Sequence, residues 1–360
     1  MTRRFRFLPL LLLLASMLAA CGGAITGGTT SPAAMGGAAT APVANGGLNT
    51  IVLGAYTTPR EAYDKLIPIF TEQWKKQTGQ DLTFKESYQG SGAQSRAIAE
   101  GFEADIAALS LEADITRIQK AGLITGDWKA GTYKGMVSHS VVAFAVRKGN
   151  PKAIKDWADL AKPGLQVLTP NPKTSGGAQW NILALYGAAK RGFVAGVAKD
   201  DDAAATQFLK SVLKNVTVMD KGARESITNF EQGVGDVAIT YENEVRVGQL
   251  GGQDYELVIP RSTILIENPI AIIDKYVDKH GNRKAVEAFV AFLFTPEAQN
   301  VFAQYGLRSV DPAVAKTTAA QFPAVEDQFP IGYFGGWGEA TPKYFGDDGV
   351  YIKAISEVQQ

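Results

Sequence analysis

Asn49-Thr-Ile-Val-Leu-Gly-Ala55 is followed by a helix-period segment, Arg60–Thr78, and then by Asp81-Leu-Thr-Phe-Lys-Glu-Ser87. The first run is short and apolar, as a buried strand requires. In the next segment Tyr63, Leu66, Ile67, Phe70 and Trp74 recur at the three-to-four spacing of one helix face. The third run again reads as a strand. A strand, a helix of this length and a second strand form a crossover unit with parallel pairing. Pro68 falls inside the helical pattern and predicts a kink or a restart there.

Outward from this unit the alternation continues. A helix starts near Ala93, Ala104–Leu109 reads as a third strand, and further strands are expected at Ser140–Val146, Gln166–Leu168, Val216–Met219, Asp236–Thr240, Glu256–Ile259 and Ala271–Ile273. The class is therefore α/β with mainly parallel sheets flanked by helices. One sheet would be large for a body spanning residues 48–360, so two lobes are expected. The expected division is 48–138 plus 248–345 for lobe 1, 139–247 for lobe 2, and 346–360 as a C-terminal segment.

The N-terminus carries Arg3, Arg4 and Arg6, an apolar stretch through Leu10–Leu14, and Leu18-Ala-Ala-Cys21. A basic region, a short apolar region and small residues before a cut site make a secretory signal over 1–20. Leu-Ala-Ala-Cys resembles the bacterial lipobox, in which the cysteine becomes the lipidated first residue. Cys21 is the only cysteine of the chain. A plain signal peptide with an incidental cysteine is the alternative. Residues 22–47 are Gly, Ala, Thr, Ser and Pro-rich without charge, so 21–47 reads as a lipidated Cys and flexible tether.

The full chain balances 36 Lys+Arg against 36 Asp+Glu; cleavage would leave 33 cations against 36 anions, a net −3. That balance argues against nucleic acid as a partner. One cysteine and two well-separated histidines, His139 and His280, leave little for a zinc site or a Cys-His nucleophile pair. No metal or cofactor is expected.

Three strand-to-helix junctions share one chemistry. Tyr88-Gln-Gly-Ser-Gly-Ala-Gln94 opens the helix running to Glu100, with Gly90, Ser91 and Gly92 at its start. Asn171-Pro-Lys-Thr-Ser-Gly-Gly-Ala-Gln-Trp180 opens another with Ser175, Gly176 and Gly177, and Asp220-Lys-Gly-Ala-Arg-Glu-Ser226 a third with Gly222 and Ala223. First-turn amides lack intrahelical partners and sit at the positive end of the helix dipole. Small residues let a ligand approach them, and a serine hydroxyl adds a donor, so each junction can cradle an anion. Each alone also reads as an ordinary capped helix. None fits a named phosphate motif: Gly90-Ser-Gly92 lacks a glycine at position 95, and Lys173-Thr174 lacks the upstream glycines of a P-loop.

Asn171-Pro-Lys-Thr-Ser-Gly-Gly-Ala178 resembles the most specific motif of the sulfate/thiosulfate-binding proteins of bacterial ABC importers. Lys75-Lys-Gln-Thr-Gly-Gln-Asp-Leu82 with Glu86-Ser87 resembles the second signature. Supporting matches are Tyr56 with Pro59-Arg60-Glu61, Val146-Arg-Lys-Gly-Asn-Pro151, Gly222-Ala-Arg224, Gly235-Asp-Val237, Glu242-Asn-Glu244 and Phe334-Gly-Gly-Trp337. The resemblance covers nearly the whole body. It implies a two-lobed periplasmic binding protein of type II, with the ligand in the interlobe cleft and ABC permease subunits as partners. It implies amide donors at Ser91, Gly176, Gly177 and Ala223 and a hydroxyl from Ser175. Where the family has a tryptophan indole donor before Glu-Asn-Glu, this chain has Tyr241, whose hydroxyl is the ligand donor the resemblance implies there; where the Asn-Pro-Lys motif continues to arginine, it has Gln179; and the second signature's glutamine is Glu86. Arg60 and Arg224 are candidates to support the site from behind. The protein is expected to be a monomer, extracytoplasmic and held to a membrane only through lipid on Cys21.

A donor-only site suits a fully ionised dianion, whereas partly protonated phosphate needs an acceptor. Glu225 and Glu242 are near the junctions in sequence, but no carboxylate lies among the opening residues. Preference for sulfate or thiosulfate over phosphate is expected, with molybdate, tungstate or phosphate as alternative ligands. A secreted serine hydrolase using Ser91 or Ser175 is a further alternative, although neither serine sits in Gly-x-Ser-x-Gly. His139 reads as structural, Trp180 and Tyr186 as core, and Lys199-Asp-Asp-Asp202 as a solvated helix start. Trp337 and Phe345 are expected to pack a final helical segment onto the first lobe.

Overall fold

Ile51, Leu53 and Ala55 face one way and Val52 the other, and all four are buried, so strand β1 (Thr50–Tyr56) has a core on each side. The computed structural model describes residues 46–359; the expected signal, Cys21 and nearly all of the tether lie outside them. Helix α1 (Arg60–Thr78) returns to β2 (Thr83–Gln89), which pairs in parallel with β1. α1 runs through Pro68 without a break. Pro68 and Asp64, one turn earlier, are both exposed, so water can take the carbonyl that the proline leaves without a partner. α2 (Ser91–Ala99), β3 (Ile106–Ala108) and α3 (Glu112–Lys120) complete this part, with β3 parallel to β1.

β4 (Met136–Val146) then crosses to a second group: β5 (Val167–Leu168), α4 (Gly176–Lys190), α5 (Asp202–Leu213), β6 (Val216–Val218), α6 (Ala223–Glu231), β7 (Val237–Tyr241), α7 (Glu242–Leu250) and β8 (Glu256–Val258). β5 pairs in parallel with β6 and β7. β9 (Ser262–Ile272) crosses back, followed by α8 (Asp274–His280), α9 (Arg283–Leu293), α10 (Pro296–Gln304) and α11 (Pro312–Thr318). β10 (Asp327–Phe329), α12 (Trp337–Ala340) and α13 (Val350–Val358) end the chain.

The strand order is β2-β1-β3-β9-β4-β7-β5-β6, with β10 on β9 and β8 on β4. Two parallel trios are thus joined through the antiparallel pair β4 and β9, the longest strands among the described residues. Val141 still pairs with β9 at Leu265, whereas Val142 already pairs with Tyr241 on β7. This is a two-lobed α/β fold.

Three sequence expectations change. The strand expected at Ala271–Ile273 is the end of an eleven-residue strand, β9. Glu267, Asn268 and Pro269 interrupt its apolar pattern, but Pro269 lies opposite Met136 where the register shifts, a position that tolerates a missing N–H. β8, expected with lobe 1, pairs with Phe144–Val146, the stretch of β4 that also pairs with β7 of the second trio. Trp337 packs mainly in the core of the second lobe, with α12 also meeting α3 of the first. Its indole sits edge-on against Trp180, with ring centroids 4.6 Å apart, and Phe329, Phe334 and Tyr344 share that core; Phe345 packs against it from a partly buried position. Gly187 on α4 permits this closure, since a Cβ there would come within 2.4 Å of the Phe329 ring.

Trp180 and Tyr186 are core residues, and Asp201 caps α5 by accepting from the Ala204 N–H at 2.9 Å. His139 lies at the crossing in β4, its backbone paired with that of Arg308. Burial pushes its imidazole down from about 6.5 to about 4. The unfolded chain takes up the proton first as pH falls, so His139 costs stability progressively between those two values. His139→Gln is expected to flatten the fall in melting temperature between pH 6.5 and pH 4, leaving the neutral-pH value little changed by this term.

Candidate functional site

Every junction that bears on the site lies at the carboxyl end of a strand, where open parallel sheets place their ligands. Gly90 joins β2 to α2, Ser110 follows β3, Ser175 precedes α4, Gly222 precedes α6, and Tyr241 joins β7 to α7. These loops meet. A Cβ on Gly90 would come within 2.7 Å of the Thr174 carbonyl oxygen and 2.9 Å of that of Lys221. Ala93 N–H donates to the Thr174 carbonyl at 3.3 Å, and Thr174 Oγ1 donates to that of Lys221 at 2.8 Å. One junction from the first lobe and two from the second therefore converge.

The glycines of α4 are required by contact. A Cβ on Gly176 would lie 2.7 Å from Ser110 Oγ, and one on Gly177 would lie 2.7 Å from Tyr241 Cε2 and 3.4 Å from Ala223 Cβ. The N–H groups of Ser91, Gly176, Gly177 and Ala223 stand in first turns, which offer no intrahelical acceptor. Among the described residues they donate to no loop carbonyl or side chain either. Ser175 caps α4: its Oγ accepts from Ala178 N–H at 3.3 Å, so its own proton remains to be given.

Ser91 contributes differently through its side chain. Its hydroxyl donates to Asp114 Oδ2 at 2.6 Å and accepts from Ser110 N–H at 2.9 Å, leaving only the amide for a ligand. Asp114 is held in turn by Arg117 at 2.6 Å. Tyr241 is 1% exposed, and its hydroxyl lies 2.6 Å from Ser110 Oγ. Burial raises its pKa, so the phenol is neutral and a proton donor. Gln179 braces the loop by donating to the Pro172 carbonyl at 3.0 Å. Ser110 and Asp114 were not anticipated from sequence, because neither follows a glycine-rich opening.

Arg224 spans the two lobes. It donates from Nε to Glu244 Oε2 on α7 at 2.7 Å, and from both terminal nitrogens to Glu61 on α1, one of them at 2.9 Å. Burial opposes its charge, but the two carboxylates more than offset this and raise its pKa; Glu61 is held below its ordinary value against the same burial. Arg60 is not brought into the group: it is exposed, with its guanidinium 5.2 Å from the Tyr88 ring centroid. Glu242 is fully buried and bound by Arg308 at 2.7 Å, and Glu225 is exposed beside Gly222. Among the described residues no cluster of His, Cys, Asp and Glu is arranged to hold a metal, and no helix is long and apolar enough to cross a membrane.

Helix-opening loops that meet from two lobes, with first-turn amides that no other group among the described residues takes, are the features of a solute-binding protein. The family described as "Bacterial extracellular solute-binding protein" matches residues 51–308. The chain is 42% identical over 346 residues to the sulfate-binding protein of Synechococcus elongatus, covering 95% of this chain and 93% of that one. It is 37% identical over 308 residues to the thiosulfate-binding protein of Escherichia coli, covering 84% and 90%. The solved structure of the sulfate-binding protein SubI from Mycobacterium tuberculosis superposes with a TM-score of 0.76 at 38% identity, covering 82% of this chain and 99% of that one. The chain belongs to this family of extracellular solute-binding proteins, alongside its sulfate- and thiosulfate-binding members.

The Arg224 bridge has unequal ends. Glu244 is fully buried, whereas Glu61 is 30% exposed. Arg224→Met would strand a buried carboxylate and is expected to cost roughly 3 kcal/mol of stability. Glu61→Gln is expected to cost about 1 kcal/mol or less. Urea unfolding of both variants checks the asymmetry; equal losses would contradict it.

Proposed function

We propose that the protein is the extracytoplasmic binding component of an ABC importer, taking sulfate or thiosulfate between its lobes and delivering it to the permease. The observation that carries this reading is the convergence of unpartnered amides from Ser91 on one lobe and from Gly176, Gly177 and Ala223 on the other. Ser175 and Tyr241 add hydroxyl donors. A ligand held by both lobes favours their closed arrangement, so binding and closure are coupled through the same hydrogen bonds. The body acts as a monomer tethered through a lipid on Cys21.

Ligand choice rests on how the nearby carboxylates are placed: Glu225, beside Gly222, is exposed, and the buried ones are bound to arginines. Asp114 is committed to Ser91 and Arg117, Glu242 to Arg308, and Glu244 to Arg224. A proton on phosphate would find no carboxylate waiting inside the cradle, whereas sulfate and thiosulfate carry none at neutral pH. Molybdate and tungstate share that property and differ in size. The serine hydrolase reading lacks a base: His139 lies in β4, and His280 Nδ1 is 2.7 Å from Asp105.

Competition titrations of sulfate, thiosulfate, phosphate and molybdate on the mature protein test the assignment. Sulfate or thiosulfate is expected to bind most tightly; comparable phosphate affinity would overturn the selectivity argument. Ser175→Ala is expected to weaken sulfate binding by about 1.5–3 kcal/mol, the worth of a hydrogen bond to a charged group. An unchanged affinity would remove Ser175 from the site.

A further inference from the structure

Ser110 enters the site without a sequence motif. It follows β3 in the first lobe, is fully buried, and touches both lobes. Its N–H donates to Ser91 Oγ at 2.9 Å, its carbonyl accepts from the Trp180 indole at 3.0 Å, and its Oγ lies 2.6 Å from the Tyr241 hydroxyl. The same Oγ lies 2.7 Å from the position a Cβ on Gly176 would take, and the Tyr241 ring stands equally close to that of Gly177. The hydroxyl pair therefore abuts the two residues whose amides open α4.

Counting protons gives the pair a function. Two hydroxyls carry two hydrogens, and the bond between them uses one. No other acceptor among the described residues takes the second from either oxygen. An acceptor-only dianion beside Gly176 and Gly177 can take it, whichever oxygen gives it.

Resting on the functional reading above, we propose that Ser110 is a specificity-determining residue of the anion site. It works with Tyr241 as one unit that presents a single proton to the ligand. The Ser110 hydroxyl donates to the phenol oxygen, and the phenol proton is thereby directed to the anion. Because the two residues come from opposite lobes, this bond forms only when the lobes are closed.

The test is a double-mutant cycle read by calorimetric titration with sodium sulfate. Ser110→Ala keeps both backbone hydrogen bonds and removes only the hydroxyl. Ser110→Ala and Tyr241→Phe are each expected to weaken sulfate about tenfold, and the double variant no more than the worse single one. The ligand-free melting temperature of Ser110→Ala should stay close to that of the parent. An unchanged affinity in Ser110→Ala, losses that multiply in the double variant, or a lowered ligand-free melting temperature accompanying the weaker binding would each overturn the proposal. If the parent bound neither sulfate nor thiosulfate, the functional reading would fail first and take this one with it.

Discussion

First-turn amides of three helices aim at one place, and the protein supplies them with no acceptor. Buried N–H groups without partners are costly, and few native structures keep several together. Their cost is offset when a ligand with lone pairs on every side occupies the space between them. That requirement explains the small residues around the site. Gly90 approaches the Thr174 carbonyl, and Gly176 and Gly177 approach Ser110 and Tyr241, at separations that any side chain would violate.

The sheet sets how the loops can meet. β4 and β9 are the two long strands: β9 pairs with β3 of the first parallel trio, β4 pairs with β7 of the second, and between those stretches they pair with each other. The loops therefore belong to separate lobes joined by a narrow antiparallel ribbon. One core surrounds Phe70 and Phe289; the other surrounds Trp157 and Trp180 and takes in Tyr56 and Leu111 from the first lobe. Arg224, bonded to Glu61 across the gap, and Ser110, bonded to Tyr241 and to the Trp180 indole, link the two lobes.

The glycine–serine junctions were legible in the sequence because helix starts are specified locally, by the few residues that cap them. β1, α1 and β2 were legible for a similar reason, as their apolar spacing lies within one short window. β9 was hidden: Glu267, Asn268 and Pro269 look like a turn, and only pairing across the ribbon with β4 makes them a strand. The packing of Trp337 on the second lobe, beside its contact with α3 of the first, was not foreseen because nothing near it in sequence names Trp180 as its partner. Ser110 carried no signal either. A serine after a three-residue strand gains meaning only from Tyr241, which the fold brings to it across 131 positions.

Charge is kept one layer back from the cradle. Arg117, Arg224 and Arg308 all lie behind its loops, and each is matched by a carboxylate: Asp114, the Glu61 and Glu244 pair, and Glu242. A dianion in the cradle would then be held by dipoles, with these three cations matched behind it. Dipoles fixed by helix ends and hydroxyls discriminate by where lone pairs and protons sit, which a lysine ammonium, with freely turning donors, does poorly. The row Arg117–Asp114–Ser91–Ser110–Tyr241 runs from a matched charge to a neutral hydroxyl, and hydrogen bonds in such a row polarise one another. An expected excess of negative charge on the mature chain is thus no obstacle to holding an anion, because the attraction is built from oriented donors at the site and not from the protein's overall field.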